Sequence, residues 1–256
     1  MTQIGLHSLK SIQRTFKEMN NFTNHNAYDF DSDEDKEWFL VHSGAVTNTN
    51  PGSMVHVYIN TTPICPNMTN REFRIMVMRL LKWSIILVDR RITDLRRYDE
   101  RTKERMIHWF NRCDDNTRQY LISGFSRHLS VLKTLTPHHF VRSDPNLDRM
   151  LGCVPNMNNI ENEAAHVCGP NTERRLVSIA TKFCTGLRDQ NMFGDSRLST
   201  LIHEVTHFAD TFGSSDPRYG LDPTATAWAR ANPDLALRNA DTLTGFVIYG
   251  EDLFAE

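Results

Sequence analysis

Apolar residues recur at helical spacing from about Thr69 to Leu135, lose that period between Pro137 and Gly194, and regain it at Leu198. Thr69 and Glu72 are spaced as a capping box, which opens a helix through REFRIMVMRLLKWSIILVDRR, apolar enough to be buried on most sides. A second helix follows Tyr98, with Met106, Ile107, Trp109 and Phe110 on its inner side. A third runs from about Arg118 to Leu135, stopped by Pro137. MVHVYIN, Met54 to Asn60, alternates as a strand does, and LVSIATKF, from Leu176, is a candidate for further strands. A last segment carries Leu198, Leu201, Ile202, Val205 and Ala209 at core-facing spacing. Asp195 or Ser196 can cap its start, and Gly213 suits the position that ends it. These elements predict a predominantly helical α+β fold with a small β-sheet region at about residues 150–195. Residues 1–60 form an N-terminal extension of unknown role and 61–256 form one domain.

Charge changes this picture little. The net charge is −2, so bulk electrostatics points neither to nucleic acid nor to an anionic membrane. Arg90, Arg91, Arg96, Arg97, Arg101 and Arg105 are interleaved with Asp89, Asp94, Asp99, Glu100 and Glu104, the pattern of ion-paired solvent faces rather than a phosphate-binding stripe. The longest apolar run, Ile85 to Val88, is far too short to span a bilayer. The N-terminal stretch shows no secretory signal, which makes a cytoplasmic address the default, or export by a leaderless route. The acidic run from Asp29 to Glu37 lacks the glycine and the twelfth-position glutamate of a calcium loop, and reads as a solvated loop.

HEVTH places His203 and His207 four residues apart, on one face of a helix. Their ring nitrogens can then converge on one zinc ion at about 2.0–2.1 Å. Glu204 follows the first histidine and can reach a water at the metal without itself binding the ion. A third ligand has two candidates. Asp210 falls on the histidine stripe, but three ligands from one straight helix would crowd one side of the ion. Asp216 lies beyond the predicted helix end, where the chain can fold back over the metal.

GSSDPRYG, Gly213 to Gly220, resembles the GTxDxxYG signature of the aspzincins, the deuterolysin and peptidyl-Lys metallopeptidase family, with Ser214 in place of threonine. NADTLTGFV, Asn239 to Val247, and RYDERTKERMIHWF, Arg97 to Phe110, look like two helices of the same family. The resemblance runs from about Cys65 to the C-terminus and implies a zincin-like domain and a zinc endopeptidase acting on protein or peptide substrates. It implies one zinc ion per chain, held by His203, His207 and Asp216. Glu204 is then the general base and Tyr219 the oxyanion-stabilising phenol. Asp241 matches an acidic residue that lines the primed-side pocket in relatives and favours basic side chains, although capping of the final helix would equally explain it. The glutamate of lysine-specific members, three positions later, is Thr244 here, which argues for a looser preference.

Cys65, Cys153 and Cys184 fall near disulfide positions of the family that the chain resembles, with Cys65–Cys153 and Cys168–Cys184 as candidate pairs; Cys113, inside a predicted helix, reads as a buried thiol. Two other readings remain: a zinc-binding interaction protein without turnover, and an exported peptidase effector with a specific target. Oligomeric state is not written in the chain.

Overall fold

The computed structural model describes the backbone of residues 38–45 and 54–60, and residues 62–155, 157 and 162–251 in full. The acidic run from Asp29 lies outside the described residues. Strands β1 (Trp38–Ala45) and β2 (Met54–Asn60) pair antiparallel, in line with the alternation of MVHVYIN.

Helix α1 (Asn70–Arg97) begins at the expected capping box. Glu72 N–H donates to Thr69 Oγ1 at 3.2 Å and Thr69 N–H to Glu72 Oε2 at 2.9 Å, satisfying donors that the first turn leaves orphaned. It runs beyond Arg91 and ends where Tyr98 adopts φ 53°, in the left-handed region. Its buried residues include Phe73, Val77, Leu80, Leu87 and Leu95, the apolar stripe that the core requires.

Helix α2 (Glu100–Phe110) buries Met106, Trp109 and Phe110, but Ile107 is 45% exposed. One residue after Met106, it is turned about 100° away from the inner stripe. Helix α3 (Asp115–Thr134) starts earlier than the periodicity predicts, because the Asp114 side chain accepts from Thr117 N–H and caps the first turn. Cys113 therefore sits in the loop between α2 and α3, half-buried and free, rather than inside a helix. The interleaved charges follow the expected solvent-face pairing only in part, since Arg91 is buried and Arg105 donates to the Phe246 and Tyr249 carbonyls instead of to a carboxylate. Arg91 pairs with Asp94 and Glu251, Arg97 with Asp94 and Asp99, and Arg90 with Glu251.

After a 3-10 turn at Pro137–His139 come β3 (Phe140–Arg142), α4 (Pro145–Met150), β4 (Ala165–Val167), β5 (Val177–Ile179) and α5 (Thr181–Thr185). Only the first half of LVSIATKF is strand. From Thr181 the chain turns into α5, burying Phe183 and Cys184. The sheet has the order β3-β5-β4, with β3 parallel and β4 antiparallel to the central β5, so β4 is an edge strand.

The rest is helical: α6 (Arg197–Thr206), α7 (Pro223–Ala231), α8 (Pro233–Ala236) and α9 (Ala240–Ile248). Helix α9 is buried along its whole length. It meets α2 so closely that a Cβ on Gly245 would lie 2.1 Å from the Trp109 ring, which only glycine permits. Among the described residues no helix is long and apolar enough to cross a membrane.

The cysteine pairing differs from the expected one. Cys65 bonds Cys184, tying the segment before α1 to α5, and Cys153 bonds Cys168, tying the segment after α4 to the end of β4. All four expected residues are used, but sequence spacing does not determine which sulfurs meet; the three-dimensional path does.

Candidate metal centre and substrate cleft

Helix α6 starts at Ser196, whose Oγ accepts from Ser199 N–H at 3.0 Å, so Ser196 rather than Asp195 is the cap. Leu198, Leu201, Ile202 and Val205 are buried in the core, and the opposite face carries His203 and His207. The helix stops at Thr206, well short of Gly213, and Ala209 is exposed beyond its end. Thr211 helps make the early stop tolerable, since its hydroxyl lies 2.7 Å from the Val205 carbonyl, while Phe208 O accepts the backbone N–H groups of Thr211 and Gly213. Gly213, at φ 56°, reverses the chain, and Ser214 N–H then bonds back to Thr206 O at 3.1 Å. That reversal returns Asp216 to the histidines.

Three ligand atoms converge. His203 Nε2 and His207 Nε2 lie 3.1 Å apart, and Asp216 places Oδ1 3.4 Å from the first and Oδ2 3.3 Å from the second. A tetrahedral ion with bonds of about 2.0–2.1 Å separates its ligands by about 3.3 Å, so the donor set has the size of a zinc site. Asp216 Oδ1 is buried with no hydrogen-bond partner, which fits an oxygen meant for a cation. Asp210, the rival third ligand, points elsewhere and forms a two-pronged ion pair with Arg175 at 2.9 and 2.5 Å.

The far nitrogens of both rings are occupied, which turns the Nε2 atoms to the common point. His207 Nδ1 contacts Ser214 O at 3.0 Å, and His203 Nδ1 contacts Asp241 Oδ1 at 2.5 Å. Asp241, in the first turn of α9, uses its other oxygen to accept from Gly220 N–H at 2.6 Å. Neither the bond to His203 nor the Ser214 carbonyl was foreseeable from spacing, because both depend on how α9 and the turn pack against α6. With both carboxylate oxygens engaged, Asp241 is tied to His203 and to the turn at Gly220, although it still lines the cleft. Thr244 is buried and does not line the cleft.

Glu204 is buried beside the two histidines, and burial raises its carboxyl above the usual range while His203 and His207 oppose the shift. Tyr219 is 64% exposed at the rim, its hydroxyl 3.3 Å from Asp216 Oδ2. Burial of the phenol oxygen and the nearby Asp216 charge push its pKa up to about 12, so it remains an O–H donor. These groups line one cavity of about 770 Å³, bounded on one side by α6 and on the other by β4 and the disulfide-tied segment at Cys153 and Val154.

A family model described as lysine-specific metallo-endopeptidase, the aspzincins, matches residues 96–248, more than half of the chain. The chain belongs to the aspzincin family. It is a zinc metallopeptidase. The helical body with its small mixed sheet is consistent with the aspzincin fold. A solved zinc peptidase from Grifola frondosa has the same fold, with a TM-score of 0.52 at 17% identity over 69% of this chain and 94% of that one. A search of curated proteins gives no match. The aspzincin match begins at Arg96 and so covers α2 through α9, whereas the fold likeness extends over a larger share of the chain.

Proposed function

We propose that this aspzincin is an endopeptidase in which His203, His207 and Asp216 hold one zinc ion. The single observation that carries the proposal is the convergence of those three side chains, with Glu204 in the same cleft. Zinc, when bound there, supplies a Lewis acid and lowers the pKa of a water to about 7. The chain's own residues do the rest. Glu204, buried and raised, accepts the proton of the attacking water and passes it to the leaving amine. Tyr219, protonated at the rim, turns its O–H from Asp216 to the oxyanion that develops on the scissile carbonyl.

The peptide lies extended along β4. Ala180 N–H bonds Ala164 O at 2.9 Å, and Ala165 pairs with Ile179 in register. The alternation of an antiparallel ladder then turns the N–H and C=O of Ala165 and Val167 to the open edge, where an added strand can pair.

For the primed side, the acidic surroundings of Asp241 support a bias to basic side chains. A strict demand for lysine lacks support, because Thr244 carries no charge and does not line the cleft. The two disulfides favour an oxidising compartment such as the extracellular space over the cytoplasm.

Casein incubated with the protein and with Glu204→Ala, at equal zinc content, tests the mechanism. Cleavage by the first and a loss of at least about 10²-fold in the second is expected. Equal cleavage overturns the role of Glu204, and no cleavage by either favours a zinc-binding interaction protein. Mass-spectrometric mapping of the products tests the bias: without enrichment of Lys or Arg after the cut, the reading of Asp241 as a specificity residue fails.

A further inference from the structure

His166 is the central residue of the edge strand β4 and lines the same cleft as Glu204. Its Nε2 lies 2.9 Å from Asp148 Oδ1, on α4, and its Nδ1 lies 3.0 Å from Glu163 Oε2, just before the strand. Carboxylates accept hydrogen bonds, so both ring nitrogens must donate. Only the imidazolium has two donors. The three side chains are mostly sheltered, at 24%, 6% and 16% exposure for His166, Asp148 and Glu163.

Strand β4 is short for the task of receiving a peptide. It has three residues and pairs with the sheet on one side only. Further ties link it to the α4 region. Cys153 bonds Cys168, and Asn171 Nδ2 donates to Leu151 O at 3.2 Å. Both lie beyond the C-terminal end of the strand. At the middle, between the two residues whose backbone faces the open edge, the side-chain tie is the His166 ion pair.

We propose that His166, clasped as an imidazolium between Asp148 and Glu163, is a positioning residue that holds the edge strand in register to pair with the substrate backbone. The inference rests on the peptidase reading and on substrate pairing at β4. His166 is not offered as a catalytic residue, because neither ring nitrogen is left free to meet the reacting carbonyl. Burial works against its charge, but the hydrogen bonds to Glu163 and Asp148 override it and push the pKa up to about 9. The charged groups facing the ring are Asp148 from α4, Glu163 from the preceding segment and, across the cleft, Glu204 from α6, whose carboxyl feels the His166 charge. The clasp therefore holds at neutral pH and loosens as pH rises through about 9.

The test uses the full chain with zinc bound and a casein-derived peptide that it cleaves, comparing wild type with His166→Gln, Asp148→Asn and Glu163→Gln. The expected result for His166→Gln is a KM raised about ten-fold, the worth of one lost hydrogen bond, with kcat within about two-fold. The two carboxylate variants shift KM in the same direction. The wild-type KM should rise above pH 9, and that rise should vanish in His166→Gln.

An unchanged KM in all the variants overturns the proposal, and so does a fall in kcat with KM constant. If His166→Gln does not fold, the two carboxylate variants decide by the same criteria. Amide hydrogen exchange over β4 and β5 reads the clasp without turnover, and faster exchange is expected in the variants. Should the wild type cleave nothing, the peptidase reading fails. Exchange then decides the clasp alone, and unchanged protection overturns it.

Discussion

Asp241 reaches from α9 to place Oδ1 2.5 Å from His203 Nδ1, while its Oδ2 accepts the Gly220 amide beside Tyr219 at 2.6 Å. One carboxylate thus orients the ring of a proposed zinc ligand and anchors the turn that carries the rim phenol. A carboxylate behind a ligand histidine sets its tautomer and raises its basicity, and losing such a partner typically weakens metal binding by about 10–100-fold.

Asp241→Asn should therefore bind zinc about 10–100-fold more weakly at its best pH. Without metal, His203 titrates high: burial lowers its pKa, but the Asp241 hydrogen bond and charge push it up to about 10. A proton then competes with zinc for His203, so apparent affinity in the wild type should climb by up to about ten-fold per pH unit between pH 7 and 9. In Asp241→Asn, the hydrogen bond and charge that raise His203 are lost, so its pKa drops and the climb should flatten at a lower pH than in the wild type. Chelator-buffered zinc titrations measure both. A slope unchanged by the substitution would refute this link.

Tyr219→Phe removes a hydroxyl that touches Asp216 only at 3.3 Å, a long contact. Zinc content should stay at the wild-type level, KM should change little, and kcat should fall by about 10²–10³-fold, the usual worth of one oxyanion donor. Loss of zinc instead would show that the phenol serves to hold Asp216.

His128 is fully buried in α3 against Phe125 and Phe212, and neither ring nitrogen has a partner. Burial lowers its pKa to about 3 from the ordinary 6.5, so the folded state keeps it neutral. The unfolded chain then binds one more proton between those values. This group's contribution to stability is present above pH 6.5 and drains away as pH falls towards 3. The slope is about 1.4 kcal/mol per pH unit for one proton. His128→Leu should flatten the wild-type loss by that amount in urea unfolding at pH 6, 5 and 4. Parallel curves for the two proteins would rule the assignment out.

The disulfides should separate in effect. Cys65–Cys184 spans 119 residues and links the start of the helical body to α5. Replacing both cysteines with serine should cost about 4–5 kcal/mol of global stability. Cys153–Cys168 spans 15 residues beside the cleft, and its loss should cost about 3 kcal/mol. The second pair should also raise KM more than the first, because it ties the segment at Val154 to the edge strand. Thermal unfolding and peptide kinetics on the two double variants test both statements.

Much of this protein is legible along the chain because it is encoded locally. The Thr69–Glu72 box, the stripe from Phe73 to Leu95 and the four-residue spacing of His203 and His207 each depend on a few turns of helix, where period and capping decide the outcome. Asp216 is one of two candidates by position and is singled out by the family signature, because its approach to the histidines requires the helix to stop at Thr206 and the chain to reverse at Gly213. The periodic pattern continued to Ala209 and overran that stop, since the Thr211 hydroxyl that accommodates it comes from beyond the helix.

Tertiary structure alone decided the pairing of Cys65 with Cys184, the bond from Asp241 to His203 and the clasp of His166 by Asp148 and Glu163. Each joins groups from separate parts of the architecture whose distance is set by how helices and sheet pack. Hydrophobic burial brings those segments together without regard to the polar groups they carry, so local periodicity cannot announce which ones will meet.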